Sequence, residues 1–191
     1  MSRPNARPPT FARVLQALEA RTLDVQLRHF KLPPQRRGRL FYALELVGEM
    51  GELLNHCKKY LRTTVPRRRA AHVRTHIPEE AADTLIGLIL LKLAADDRRT
   101  ARPRRTRDNQ DEPTARLHTC LSALASACAR LYAREARGIG GRPRPAFALP
   151  TYSRAVAELC GVAAFFNFDL AAATHAKLAA IIRKVAAGYY D

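Results

Sequence analysis

The chain has 191 residues, which suits one domain with a proper hydrophobic core and is short for two. Hydrophobic residues make up 47% and charged residues 26%, and alanine and leucine dominate while no alternating run of apolar and polar residues is found. This composition favours an all-α protein. No apolar stretch reaches about 18 residues and the start "MSRPNARPPT" lacks an apolar segment, so we expect a cytoplasmic protein with neither a membrane span nor a secretory signal.

The formal net charge is +16, and 27 of the 33 basic residues are arginine. Nucleic-acid-binding proteins carry such an excess, but a GC-rich genome enriches arginine, alanine and proline without any function attached. We favour the second interpretation, because many of these arginines lie in proline-rich connecting segments. The four cysteines show no spacing typical of a zinc site.

The first third of the chain predicts a tail and two helices. Residues 1–10 are rich in proline and arginine, which predicts a disordered tail. A helix follows over about 11–29, with Thr10 as its N-cap, and "KLPPQRRGR" ends it with two prolines and a glycine. A second helix is predicted over about 40–61.

The middle of the chain predicts a third helix and a linker. "TTVPRRRAAHVRTHI" is interpreted as a basic connection, and Pro78 stands where a helix would begin. The helix over about 79–97 is apolar almost all round beyond Asp83, so we expect it at the centre of the core. Residues 98–114 are a charged segment of low complexity, interpreted as a linker.

The last third predicts three more helices. Those over about 115–136 and 152–166 are separated by the loop "RGIGGRPRPAFALPT", and the first of them has one apolar stripe. The last helix begins after Asp169, a good N-cap, and ends near residue 187 before Gly188. Residues 11–191 are therefore predicted to form a single all-α domain.

Two pairs of acids stand out against the basic background. Glu49 and Glu52 are three residues apart in "LVGEMGELL", and so share one helix face beside an apolar stripe. Glu80 and Asp83 repeat this spacing on the third helix. The chain between the two helices is long enough for them to run antiparallel, which would bring four carboxylates together. Such a cluster is unfavourable without a cation, and oxygen ligands favour Mg²⁺ or Mn²⁺ over zinc.

Glycines 48 and 51 flank the first acidic pair, although a glycine inside a helix costs roughly 1 kcal/mol relative to alanine. The absence of side chains there predicts the close approach of another backbone or of a ligand. The simpler interpretation of each acidic pair is a solvated helix face. It does not explain why two such pairs adjoin apolar stripes in a protein with 17 acids.

The segments "LVGEMGEL" and "EEAADTLIGLILLKLA" resemble the paired motifs of the MazG-like all-α nucleoside triphosphate pyrophosphohydrolases, especially the branch that contains the dCTP pyrophosphatases and all-α dUTPases. "DLAAATHAKLAAIIRK" resembles the closing helix of that superfamily, although Ile181 stands where its asparagine is expected. The resemblance covers about residues 40–97 and 169–184. It implies a four-helix core in which residues 98–160 are a helical insertion between the third and fourth core helices.

The resemblance also implies an activity, which is the hydrolysis of an NTP or dNTP to the monophosphate and pyrophosphate. By position, Glu49, Glu52, Glu80 and Asp83 would hold Mg²⁺, with Mn²⁺ able to substitute, and Glu49 or Glu52 would orient or deprotonate the attacking water. Lys177 matches the lysine of the superfamily that contacts phosphate. Further phosphate-binding candidates are Lys58, Lys59, Arg183 and Lys184.

The base preference stays open, because the chain lacks tryptophan and stacking would fall to Tyr42, Tyr60, Phe11, Phe30 or a partner chain. Members of the superfamily are homodimers or homotetramers, which implies the same here.

The alternative hypothesis is a non-enzymatic basic helical protein that binds nucleic acid through the arginine-rich segments 66–74, 98–107 and 137–144. A di-iron carboxylate bundle would need Glu-x-x-His pairs, and the residues three after Glu49, Glu52 and Glu80 are not histidine.

Overall fold

The computed structural model describes residues 10–62, 67–103, 112–139 and 145–189, without the side chains of residues 67–72. Most of the predicted tail, and much of each arginine-rich segment, therefore lies outside the described residues. All regular secondary structure in the described part of the chain is helical, which confirms the all-α prediction. The helices are α1 (Phe11–Arg28), α2 (Pro34–Arg37), α3 (Arg39–Leu61), α4 (Arg67–Ala94), α5 (Pro113–Ala136), α6 (Leu149–Phe166) and α7 (Leu170–Ala186).

Local capping chemistry explains several helix ends. The carboxylate of Asp169 accepts hydrogen bonds from the backbone N–H groups of Ala171 and Ala172, which confirms it as the N-cap of α7. Glu112 caps α5 in the same way. Gly188 follows α7 with a φ of +72°, a conformation that glycine adopts without strain, and so confirms the predicted end of that helix.

The prediction that a helix begins at Pro78 is wrong, because α4 begins eleven residues earlier at Arg67 and carries Pro78 inside it. Proline removes one backbone hydrogen bond from a helix interior, so the helix must gain stability elsewhere. Val73, Ile77 and Ala81 follow one another at four-residue spacing across the proline, and all three are buried. Burial of this stripe favours a continuous helix.

Helices α3 to α6 form a bundle, whose topology follows from contacts at its two ends. Arg39 at the start of α3 pairs with Glu135 at the end of α5, so these two helices are antiparallel. Arg74, early in α4, donates a hydrogen bond to the carbonyl of Phe166 at the end of α6. At the opposite end of the bundle, the Nζ of Lys92, late in α4, lies 5.9 Å from the ring centre of Tyr152, early in α6. α4 therefore ends where α6 begins, whereas α5 begins at the other end of the bundle. The connection between α4 and α5 thus joins opposite ends of the bundle.

One hydrophobic core includes residues of α1, α3, α4, α5, α6 and α7. The segment predicted as an insertion contributes α5 and α6, which pack on each other and against α3 and α4 of the same chain. α7 and α1 pack on the side of α4, and α6 and α7 are bent by 100° at their junction. This leaves the α3–α4 hairpin between two helical layers.

No single helix in the described ranges is long and apolar enough to cross a membrane, and α6 and α7 reach that length and apolarity only as a bent pair. All four cysteines are free thiols, and burial raises the pKa of the Cys57 and Cys128 thiols to about 12.

Candidate metal and nucleotide site

Three carboxylates converge where α3 and α4 lie side by side. Glu49 and Glu52 of α3 and Glu80 of α4 each offer an oxygen, and these oxygens all lie within 4.8 Å of one another. The i, i+3 spacing places the first two on one helix face, and the packing of α4 on α3 adds the third. The structure thus brings together three of the four residues that the sequence predicted as metal ligands.

The fourth predicted ligand, Asp83, is instead bonded to a cation of the protein. The Lys177 Nζ lies 2.6 Å from an Asp83 carboxylate oxygen and 2.8 Å from Glu79 Oε1. The Lys177 and Asp83 side chains are 16% and 15% exposed, so this ion pair is largely shielded from water, whereas Glu79 is 53% exposed. α7 therefore places a positive charge beside the acidic set on α3 and α4.

The electrostatics of the site reflect crowded negative charge. Burial, then the charges of Asp83 and Glu52, raise the pKa of Glu49 to about 7. Burial, then the neighbouring acids, also raise the pKa of Glu80. Burial raises the pKa of Asp83 despite its hydrogen bond with Lys177, whereas the Lys177 hydrogen bond lowers the pKa of the more exposed Glu79. Each raised pKa means that the carboxylate form is disfavoured here.

The donor chemistry of this cluster fits a hard divalent cation. Its three closely spaced ligand atoms are all carboxylate oxygens, which Mg²⁺ and Mn²⁺ prefer. Positive charge at this position would also reverse the repulsion that raises the pKa of Glu49 and of Glu80. The three glutamates can therefore hold a metal ion.

A cavity of about 730 Å³ opens beside the carboxylates. α1, α3, α4 and α7 contribute its walls, and Glu49, Glu52, Asp83 and Lys177 lie among its lining residues. The wall formed by α1 presents Thr22, Val25 and Gln26, and Ile181 of α7 also lines the cavity. This volume lies within the range of small-molecule sites.

The other predicted substrate-binding residues are placed differently. Lys184 lines the cavity, with its Nζ 5.4 Å from the centre of the Tyr189 ring. Arg183 is exposed on α7, and Lys58 and Lys59 lie in the last turn of α3. These three are not among the described residues that line the cavity. Of the predicted stacking residues, Tyr42 and Phe30 line it.

His56 extends the acidic face of α3 by one turn. Its Nε2 lies 3.7 Å from Glu80 Oε1, and its ring centre is 5.4 Å from that of His76. It therefore borders the carboxylate cluster on the side where α4 begins.

Sequence reasoning missed two groups of residues at this site. Thr22 and Gln26 are polar, yet they fall on the buried stripe of α1 that includes Leu15, Leu18 and Val25. Polar residues on an apolar stripe were the signal that could have identified them. Gly87 of α4 was also missed, and a Cβ built there would lie 3.3 Å from the Leu46 Cα of α3.

The room beside Gly48 and Gly51 is not filled by the described part of the chain. A Cβ built at either position meets nothing within 4 Å, and both glycines are exposed. The close backbone approach that the sequence predicted near the acids occurs instead at Gly87.

A second cavity, of about 600 Å³, is lined by the ends of α3 and α6 and the start of α5. Tyr60, Phe166 and Arg74 line it, and Glu158 is its one acid among the described residues. It lacks the grouped carboxylates of the first cavity, so we place the candidate chemistry in the first.

The chain was also compared with protein-family models, curated proteins and solved structures, and none of these comparisons gives a match.

Proposed function

We propose that the protein is a metal-dependent nucleoside triphosphate pyrophosphohydrolase with a MazG-like core. The observation that carries this proposal is the convergence of Glu49, Glu52 and Glu80 within 4.8 Å at the edge of a cavity large enough for a small molecule. The resemblance of "LVGEMGEL" and of the α4 and α7 segments to that superfamily supplies the reaction. Water attacks the α-phosphorus, and the products are a nucleoside monophosphate and pyrophosphate.

Mg²⁺ is the cation that we propose, with Mn²⁺ as a substitute, held by Glu49, Glu52 and Glu80. When bound, such an ion lowers the pKa of a coordinated water and offsets charge on the phosphate oxygens. Asp83 would join the ligand set once Lys177 releases it.

The protein's own groups have three roles in this proposal. Glu49 or Glu52 orients the attacking water or accepts its proton, through a carboxylate oxygen that is not engaged with the metal. Lys177 exchanges its carboxylate partners for phosphate oxygens, since its ammonium already lies at the cavity wall. Lys184 adds a second positive charge at the same wall.

The test of this function is pyrophosphate release from the eight common ribo- and deoxyribonucleoside triphosphates with Mg²⁺. We expect turnover of at least one of them, and a loss of about 100-fold or more in Glu52→Gln and in Asp83→Asn. Asp24→Asn is the matched control, because Asp24 is an acid of α1 that pairs with Arg28 outside the cavity. If the wild-type chain turns over no triphosphate with any divalent metal, the proposal is wrong.

The alternative, a basic nucleic-acid-binding protein, makes the opposite prediction. Its affinity for DNA or RNA would fall steeply with salt and would not change in Glu52→Gln. The net charge of +16 motivates it, but no described contact supports it.

The homodimer or homotetramer implied by the resemblance is likewise a proposal. Sedimentation equilibrium would measure the oligomeric state.

A further inference from the structure

The α1 wall of the cavity holds two buried polar side chains that are one turn apart. Thr22 is 1% exposed and Gln26 is 7% exposed, and both line the cavity. Neither residue is explained by the metal site, whose carboxylates lie on α3 and α4. Buried polar groups normally have hydrogen-bond partners.

Thr22 differs from three other helical threonines of this protein. The hydroxyls of Thr84, Thr119 and Thr174 each donate to the backbone carbonyl four residues earlier, at 2.7–3.1 Å. The Thr22 hydroxyl makes no such bond, and its oxygen is buried without a hydrogen-bond partner among the described residues. A helix offers this side chain an internal partner that it does not use, which leaves its hydroxyl available to a molecule in the cavity.

Gln26 has hydrogen-bonding capacity to spare. Its Oε1 accepts from the Tyr42 hydroxyl at 3.5 Å, the upper limit for such a bond, and its side-chain amide offers both donors and an acceptor. Burial raises the pKa of Tyr42, although Arg37 opposes this effect, so the phenol remains a donor at neutral pH. Val25, Ile86 and Leu90 supply apolar surface in the same cavity.

We propose that this end of the cavity binds the nucleobase of the substrate, and that Gln26 and Thr22 recognise its hydrogen-bonding edge. The inference rests on the proposed function and adds its specificity-determining residues. A nucleobase has apolar faces and a polar edge, which match apolar walls with a few polar groups. Lys177, which lies beside the carboxylates of the metal site, attracts the phosphates, and this leaves the α1 wall of the cavity to the base.

The first experiment compares Thr22→Val with Thr174→Val. Thr22→Val removes a hydroxyl that has no described partner, so the midpoint of thermal unfolding should stay the same or rise. Thr174→Val removes a hydroxyl bonded to the Leu170 carbonyl, and Thr174 does not line the cavity, so the midpoint should fall while base preference stays unchanged. A fall in the Thr22→Val midpoint equal to that of Thr174→Val would show an intramolecular role for Thr22 and overturn the inference.

The second experiment measures kcat/KM for the eight triphosphates in wild type, Thr22→Val and Gln26→Leu. We expect kcat/KM for the preferred nucleotide to fall about tenfold in each variant while the disfavoured nucleotides change little, so that discrimination between bases decreases. The same variants should weaken binding of the preferred nucleoside monophosphate in calorimetry by a similar factor.

The outcomes separate this inference from the function on which it rests. If wild type releases pyrophosphate and both variants keep its ranking of bases, the base-recognition role is wrong and the enzymatic proposal stands. If all nucleotides fall by the same factor, the residues serve stability or the phosphate site, which also overturns the inference. If wild type turns over no triphosphate, the enzymatic proposal fails and the inference fails with it.

Discussion

Lys177 reduces the negative charge that the carboxylate cluster presents to a metal ion. Its ammonium lies between Glu79 and Asp83, at 2.8 and 2.6 Å, and burial, which lowers its pKa, is outweighed by these hydrogen bonds, which raise it. The lysine therefore stays charged and competes with a divalent cation for Asp83. A triphosphate that attracts Lys177 would release Asp83, so metal and nucleotide should bind more tightly together than apart.

Removing this charge tests the competition directly. In Lys177→Met, we expect the affinity for Mn²⁺ without nucleotide to rise about tenfold or more, because Asp83 is released and one repelling charge is lost. Nucleotide affinity should fall in the same variant. Titration of Mn²⁺ followed by electron paramagnetic resonance measures the first quantity without requiring turnover.

Lys184→Met is the matched control for this experiment. Lys184 carries the same charge on the same helix, but its Nζ lies over the Tyr189 ring. Its removal should strengthen Mn²⁺ binding much less. Unchanged or weaker Mn²⁺ binding in Lys177→Met would contradict the proposed exchange.

At the scale of helices, the glycines of α3 and α4 have opposite surroundings. A Cβ at Gly87 would lie 3.3 Å from the Leu46 Cα, so the backbones of α3 and α4 approach closely at this position. A Cβ at Gly48 or Gly51 would meet no atom of the described residues within 4 Å. The same substitution should therefore have opposite effects on the free energy of unfolding at Gly87 and at Gly48.

We predict that Gly87→Leu destabilises the protein by about 2 kcal/mol, because a side chain there must displace the backbone of α3. Gly48→Leu should raise the free energy of unfolding by about 0.5–1 kcal/mol, since leucine is a better helix former than glycine. Urea denaturation of both variants gives the two values. A destabilising effect of Gly48→Leu would show that something outside the described chain occupies that face.

The same helices show which parts of the site were predictable from sequence. The i, i+3 spacing of the acids and the N-cap at Asp169 are local features, so the sequence predicted them correctly. Continuation of α4 through Pro78 depends on burial of Val73 and Ile77 against other helices, which periodicity alone did not reveal. The pairing of Asp83 with Lys177 depends on how α7 packs on α4. No local sequence pattern shows which residues of these two helices lie opposite each other.

At the scale of the whole molecule, α5 and α6 determine what the α3–α4 hairpin packs against. The resemblance treated residues 98–160 as an insertion into a smaller core, but the buried residues of α5 and α6 belong to the one hydrophobic core. Leu124, Leu131, Val156 and Leu159 are each fully buried or nearly so. The carboxylate site therefore depends on helices that carry none of its ligands.

The buried pair of Arg39 and Glu135 provides a test of this dependence, because it joins the start of α3 to the end of α5. Glu135 is 1% exposed and its Oε1 lies 2.5 Å from an Arg39 nitrogen. Glu135→Leu should destabilise the protein by about 3 kcal/mol, since it leaves the guanidinium poorly solvated and without its carboxylate. Adding Arg39→Met should recover most of that loss, as measured by urea denaturation.

Two buried thiols test whether the α3–α4 hairpin and the α5–α6 pair unfold together. Cys57 of α3 and Cys128 of α5 are both 0% exposed, so their alkylation requires local or global opening. If the chain is one cooperative unit, both thiols lose protection at the same urea concentration in wild type, and at the same lower concentration in Glu135→Leu. Earlier exposure of Cys128 than of Cys57 would show that α5 and α6 open separately. The α3–α4 hairpin could then hold its carboxylates together without them, as a true insertion would require.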